Sequence, residues 1–172
     1  RTLGESIRHQ IQDIKDSMNL LLNSNNLLLD VNFNNGLWTY DGDEYYKIKG
    51  NDFNSVRITK TKDNTSIHQN IPANKFVNGN YIISFLAKTS GTGACNIGVI
   101  GYPTELNSNG TVLYQGTNIN VTGSEFKQFR YTFDITDISS YHHFRFFILP
   151  RTTGITYEFS EIILCKNDGV TD

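Results

Sequence analysis

The groups that could run an enzyme reaction are scattered along this chain. Acids pair up at Asp41 and Asp43, at Asp134 and Asp137, and at Glu158 and Glu161. Glycoside hydrolysis needs two carboxylates about 5 to 9.5 Å apart across a cleft, and these pairs read instead as ordinary acid-rich turns. His9, His68, His142 and His143 lack metal-ligand spacing. Neighbouring strand residues point to opposite faces, an arrangement that would keep His142 and His143 from gripping one ion. No nucleophile elbow, phosphate-binding glycine loop or Cys-x-x-Cys pair is present. Cys95 and Cys165 fall in apolar strand-like stretches and are expected to be two buried thiols, where burial raises the thiol pKa and blunts reactivity. A non-catalytic chain is expected, with no metal and no cofactor.

Sugar recognition asks for other chemistry: flat aromatic faces against the apolar side of a pyranose, and planar amide, guanidinium or imidazole groups for its hydroxyls. This chain carries 9 Tyr, 11 Phe and 1 Trp, 12% aromatic in all, together with 20 Asn. With Phe144, Phe146 and Ile148 turned to a core, alternation sends His143, Arg145 and Phe147 to the other face of their strand. With Cys95, Ile97 and Val99 inside, Asn96 and Tyr102 fall outside, and Ser84 and Lys88 lie opposite Ile83 and Phe85. Asn96, Tyr102, His143 and Arg145 therefore form one candidate saccharide site. Tyr40 and Tyr46, in a Tyr-rich loop with Asp41 and Asp43, form the alternative. The first set is either a groove or the wet side of a sheet, since every antiparallel sandwich has polar outer faces. Trp38 is expected in the core.

Two textures of sequence position these residues. In the first 22 residues, Ile7, Ile11, Ile14, Met18 and Leu21 recur at four, three, four and three, the 3.5-residue repeat of a coiled-coil seam. Glu5, Ser6, His9, Gln12, Asp13 and Asp16 leave the other surface polar, and Ile at both seam positions leans toward three strands. The competing arrangement lays this helix on its own domain. After the polar run 23–26 the period changes to two. Strands are expected at 45–49, 55–61, 66–71, 81–89, 94–101, 111–115, 126–135, 142–149 and 155–165, separated by Gly, Asn, Asp and Thr clusters. The expected organisation is an oligomerisation helix over 1–25 and an all-β, antiparallel sandwich over 26–172.

Composition removes several classes of partner. At 172 residues with a net charge of -2 and no basic run, the chain lacks the phosphate-neutralising footprint of a nucleic-acid binder. Its longest apolar runs fall far short of the roughly 20 residues that span a bilayer, so no membrane partner is expected. The sequence opens on Arg1 rather than Met and reads as a segment with upstream sequence missing.

Residues 26–38 place Phe33, Gly36 and Trp38 in a characteristic order, and 80–88, 126–133 and 158–165 follow in turn. In this the chain resembles the jelly-roll carbohydrate-binding modules attached to xylanases and cellulases, which recur in phage tail fibre, baseplate and receptor-binding proteins. The resemblance implies a jelly roll across nearly all of 26–172. Many relatives carry a Glu after the Phe of the opening motif for a structural calcium. Asn34 stands there, and Cys165 occupies the closing-strand position where relatives usually have Glu, so no calcium is expected.

By analogy with phage relatives, the resemblance implies a virion protein, otherwise an extracellular one. A homotrimer would recognise a bacterial cell-surface saccharide and join other tail or baseplate proteins through the missing N-terminal region. A structural trimeric spacer without sugar binding and a module attached to a polysaccharide hydrolase are the alternatives.

Overall fold

The computed structural model describes residues 2–51 and 54–168, apart from the side chains of 17–24. A helix, α1 (Leu3–Ser24), opens the chain. Its start is set by a reciprocal cap: the Glu5 N–H donates to Thr2 Oγ1 at 3.1 Å while the Thr2 N–H donates to Glu5 Oε2 at 3.0 Å. Through Asp16 no helical side chain is buried. Leu3 is 79% exposed and Ile14 60%, with Ile7 and Ile11 also open. The helix therefore does not lie on its own sandwich over this span. Met18 and Leu21 fall outside the described side chains.

Beyond the helix, Asn26 clasps the chain to the last strand. Its amide donates to the Ile162 carbonyl, and its Oδ1 accepts the N–H groups of Leu28 and Leu164. Leu28, Phe33 and Trp38 then turn inward. Trp38 packs on Phe33 and Phe146 and donates its indole N–H to the Asp30 carbonyl at 2.9 Å.

Ten strands follow among the described residues: β1 (Thr39–Asp41), β2 (Tyr45–Ile48), β3 (Ser55–Thr59), β4 (Ser66–Pro72), β5 (Gly79–Thr89), β6 (Thr92–Tyr102), β7 (Thr111–Thr122), β8 (Lys127–Ile135), β9 (His143–Pro150) and β10 (Thr156–Lys166). They form two five-stranded antiparallel sheets, ordered β1-β4-β9-β6-β7 and β2-β3-β10-β5-β8. The anticipated rows Phe144, Phe146, Ile148 and Tyr81, Ile83, Phe85, Ala87 face each other across one core. Removing a buried Phe from such a core costs about 3 to 5 kcal/mol.

Two expectations need correction. Tyr40 lies in β1, not in a loop. β7 runs to Thr122 rather than stopping at 115, because a register shift opposite Cys95 and Ile97 absorbs an extra residue between Gly116 and Ile119. There Asn118 holds a positive φ of 52°, and its N–H donates to Asn96 Oδ1 at 2.8 Å. Ser84 and Lys88 lie opposite Ile83 and Phe85 as expected, on β5 of the second sheet and so away from Asn96 and Tyr102 in the first. Strand parity was correct, but parity does not say which sheet a strand joins.

Both cysteines are free and buried, as expected. Cys95 faces the inter-sheet core, and burial pushes its thiol up to about 12. A shift in strand register between Ser160 and Ile163 turns Cys165 to the other side of its sheet, with Ile82 and Ile163.

Candidate functional site

The outward face of the first sheet is built row by row by cross-strand pairing. Tyr102 of β6 pairs with His143 of β9, which pairs with Pro72 of β4. One row along, Ile100, Arg145 and Asn70 align, and the next holds Gly98, Phe147 and His68. Three of the anticipated residues, Tyr102, His143 and Arg145, thus come together on adjoining strands.

Arg145 is the centre of this group. Its Nε donates to Asn70 Oδ1 at 2.9 Å, and its guanidinium lies 5.8 Å from the centre of the Tyr102 ring. Tyr102 in turn stacks on His143, with ring centroids 5.0 Å apart. Beside them, a Cβ at Gly98 would fall 2.6 Å from Cζ of Phe147, so the Phe147 ring lies across bare backbone. The result is a flat aromatic ring next to a planar cation and a planar amide, half open to solvent.

The 103–110 loop closes one end. A Cβ at Gly110 would lie 2.6 Å from Ile100 Cγ2 and 2.9 Å from Tyr102 Cε1, and Asn107 Oδ1 is 2.8 Å from His143 Nε2. This cover buries Tyr102 and His143, while Asn70 stays exposed and Arg145 and Phe147 half-buried. His142 precedes β9 rather than lying in it, so alternation does not govern it. Its Nδ1 comes within 2.9 Å of His143 Nδ1, contrary to the expectation that the rings point apart.

Burial holds His143 below the usual imidazole value, with the charges of His142 and Arg145 adding to the effect and a bond to the Thr104 backbone opposing it. His68 is depressed by burial and by Arg145 against the pull of Asp41, whose Oδ2 lies 3.4 Å from its Nδ1.

The remaining anticipated residues lie elsewhere or are already engaged. Asn96 shares the face, but its amide oxygen is committed to the β7 backbone. Tyr40 turns inward at the sheet edge, its ring stacked 3.4 Å from that of Tyr45. Tyr46 is exposed on β2 of the second sheet. Asn70 and His68 were missed because the partner strand of β9 cannot be read from parity alone.

The paired acids serve the fold. Asp43 accepts the Thr61 and Thr65 hydroxyls and the Thr61 and Lys62 N–H groups. Although burial works against ionisation, these donors hold its carboxyl well below the usual range. Asp134 accepts the Asn80 amide, and Asp137 accepts the Ser139 and Ser140 hydroxyls.

The calcium of the resembled family can be tested at Asp30. Its Oδ1 accepts the N–H groups of Asn34 and Asn35 and its Oδ2 that of Leu37. Backbone donors occupy the carboxylate, and Asn34 brings no charge. Among the described residues no group of three or more His, Cys, Asp or Glu gathers as metal ligands. These residues do not fit a calcium ion, which takes six to eight oxygens.

These two sheets define the jelly roll of carbohydrate-binding modules. No family model matches the sequence, and no curated protein matches it either. Among solved structures, the chain is similar to a family 16 carbohydrate-binding module at 16% identity over 82% of this chain and 100% of that one, with a TM-score of 0.60. It is similar to the C-terminal family 22 module of Clostridium thermocellum xylanase 10B at 13% identity, covering 86% and 98%, TM-score 0.60. A family 61 module solved with β-1,4-galactotriose aligns at 15% identity over 83% and 99%, TM-score 0.53.

Proposed function

We propose that this chain is a non-catalytic saccharide-binding module whose site is the outer face of the first sheet. The observation carrying this reading is the Phe147 ring lying on Gly98 beside the Arg145–Asn70 pair. The ring would cover a pyranose face, and the guanidinium and amide would hydrogen-bond its hydroxyls. The saccharide bound by the family 61 neighbour supports the same ligand class.

The exposed seam residues Ile7, Ile11 and Ile14 support a further part of the proposal. Three copies associate through α1, so three weak sites act at high effective concentration and gain avidity without new contacts. The recurrence of such modules in phage tail proteins supports a virion tail or baseplate as the setting of this trimer, where it would attach to a bacterial surface saccharide and to other tail proteins.

A glycan array and a host-cell adsorption assay test this reading. Binding of neutral saccharides should disappear in Arg145→Ala. If the intact protein binds no saccharide and no cell, it is a structural spacer.

A further inference from the structure

The outward side of the second sheet carries a separate polar groove of about 490 Å³, within the roughly 300 to 1,000 Å³ of small-ligand pockets. Its floor is a row across three adjacent strands. Glu158 of β10 pairs with Arg57 of β3 on one side and Lys88 of β5 on the other. Arg57 donates through Nε and Nη2 to Glu158 Oε1 at 2.8 and 2.5 Å, while Oε2 accepts the Ser55 hydroxyl and lies 3.5 Å from Lys88 Nζ.

Two cations thus share one carboxylate, leaving the row with a net positive charge. Glu158 is buried, yet the Arg57 side chain remains 46% exposed and that of Lys88 31%. The next row sets the Thr59 and Thr156 hydroxyls 2.7 Å apart.

Two turns wall the end of the groove and are tied together. The Gly123 N–H donates to the Gly91 carbonyl, the Thr89 N–H to the Gly123 carbonyl, and the Ser90 N–H to the Thr156 carbonyl. Ser124 lines this wall. Lys88 Nζ also lies 4.7 Å from the centre of the Phe126 ring, which holds the ammonium at the groove.

We infer that this groove is a second binding site, selective for an acidic saccharide: a sugar bearing a carboxylate or phosphoryl group. The anion is met by the surplus charge of Arg57 and Lys88, and neighbouring sugar hydroxyls by Thr59, Thr156 and Ser124. Because the groove and the Arg145 face lie on opposite sheets, the inference stands independently of the function proposed above.

The test titrates the intact protein with uronate oligosaccharides and a phosphorylated hexose, their neutral counterparts, and inorganic sulfate alone, following backbone amide shifts. Acidic sugars should move the amides of Thr59, Ser90 and Ser124, with affinity falling as salt rises. Lys88→Met removes one cation, and Ser124→Phe fills the groove from an exposed turn without touching the ion cluster. Each should weaken acidic-sugar binding about tenfold or more, the scale of one charge-assisted hydrogen bond. Arg145→Ala should leave it unchanged. The inference is overturned if no acidic sugar binds, if neutral counterparts move the Thr59, Ser90 and Ser124 amides equally, if sulfate alone binds as tightly as the sugars, or if Arg145→Ala abolishes these shifts while Lys88→Met does not.

Discussion

The ring of Phe147 rests on Gly98 across the β9–β6 pair, in space that any other residue's Cβ would claim. Gly98→Ala should therefore displace the ring at a cost of about 1 to 3 kcal/mol from overpacking. It should also weaken saccharide binding. Calorimetric unfolding and glycan titration of the same variant check both effects, and retained affinity would exclude Phe147 as the stacking platform.

Alternate residues along β9 should behave oppositely. Arg145→Ala removes a half-exposed side chain and should shift stability by under about 0.5 to 1 kcal/mol, while abolishing neutral-saccharide binding. Phe146→Ala opens the core and should cost about 3 to 5 kcal/mol. Denaturant midpoints read beside host-cell adsorption separate the two.

Replacing Ile11 and Ile14 with Asp sets charge into the exposed seam of α1, which a short helix cannot offset. The unmodified protein should sediment at about three times its 19.5 kDa chain mass, and this variant at one chain mass. A single-chain mass for the unmodified protein would exclude the trimer.

Stability should fall on mild acidification. His68 and His143 have folded-state values depressed below 6.5, so the unfolded chain binds more protons below that pH. Their contribution is complete above about pH 6.5 and is lost as pH falls toward the lowered folded values. Asp43, also depressed, contributes above the ordinary carboxylate value and loses that contribution only at much lower pH. Melting temperature should drop between pH 7 and 5, and less steeply in a His68→Gln/His143→Gln double variant.

Chelation should not matter, whereas Asp30 should. EDTA is expected to leave the melting temperature unchanged. Asp30→Ala strips the acceptor from three N–H groups and should cost about 2 kcal/mol. A drop with EDTA that calcium restores would show a metal site after all.

How far the site could be read from sequence follows from what alternation encodes. Period two placed His143, Arg145 and Phe147 outside and Phe144 and Phe146 inside, because each parity belongs to one strand. Which strands become neighbours is set by long-range pairing, so Asn70 and His68 stayed hidden, and parity could not tell that Lys88 and Ser84 belong to the other sheet. The bulge at Asn118 was illegible for another reason: Gly116, Asn118 and Asn120 are turn formers that β7 holds in a ladder through the Asn96 side chain. Tyr40 was misread because β1 is three residues long, too short for a period to register.

The Asn26 clasp has a mechanical consequence. A pull on α1 reaches the sandwich at Asn26, which is tied to the carbonyl of Ile162 and the N–H of Leu164 in the middle strand of its sheet. Load entering there passes into the β5 pairing that runs from Ile163 to Lys166, beyond the Thr156–Ser160 stretch that β3 holds. A pull on α1 should therefore strain the middle of the second sheet before either of its edges.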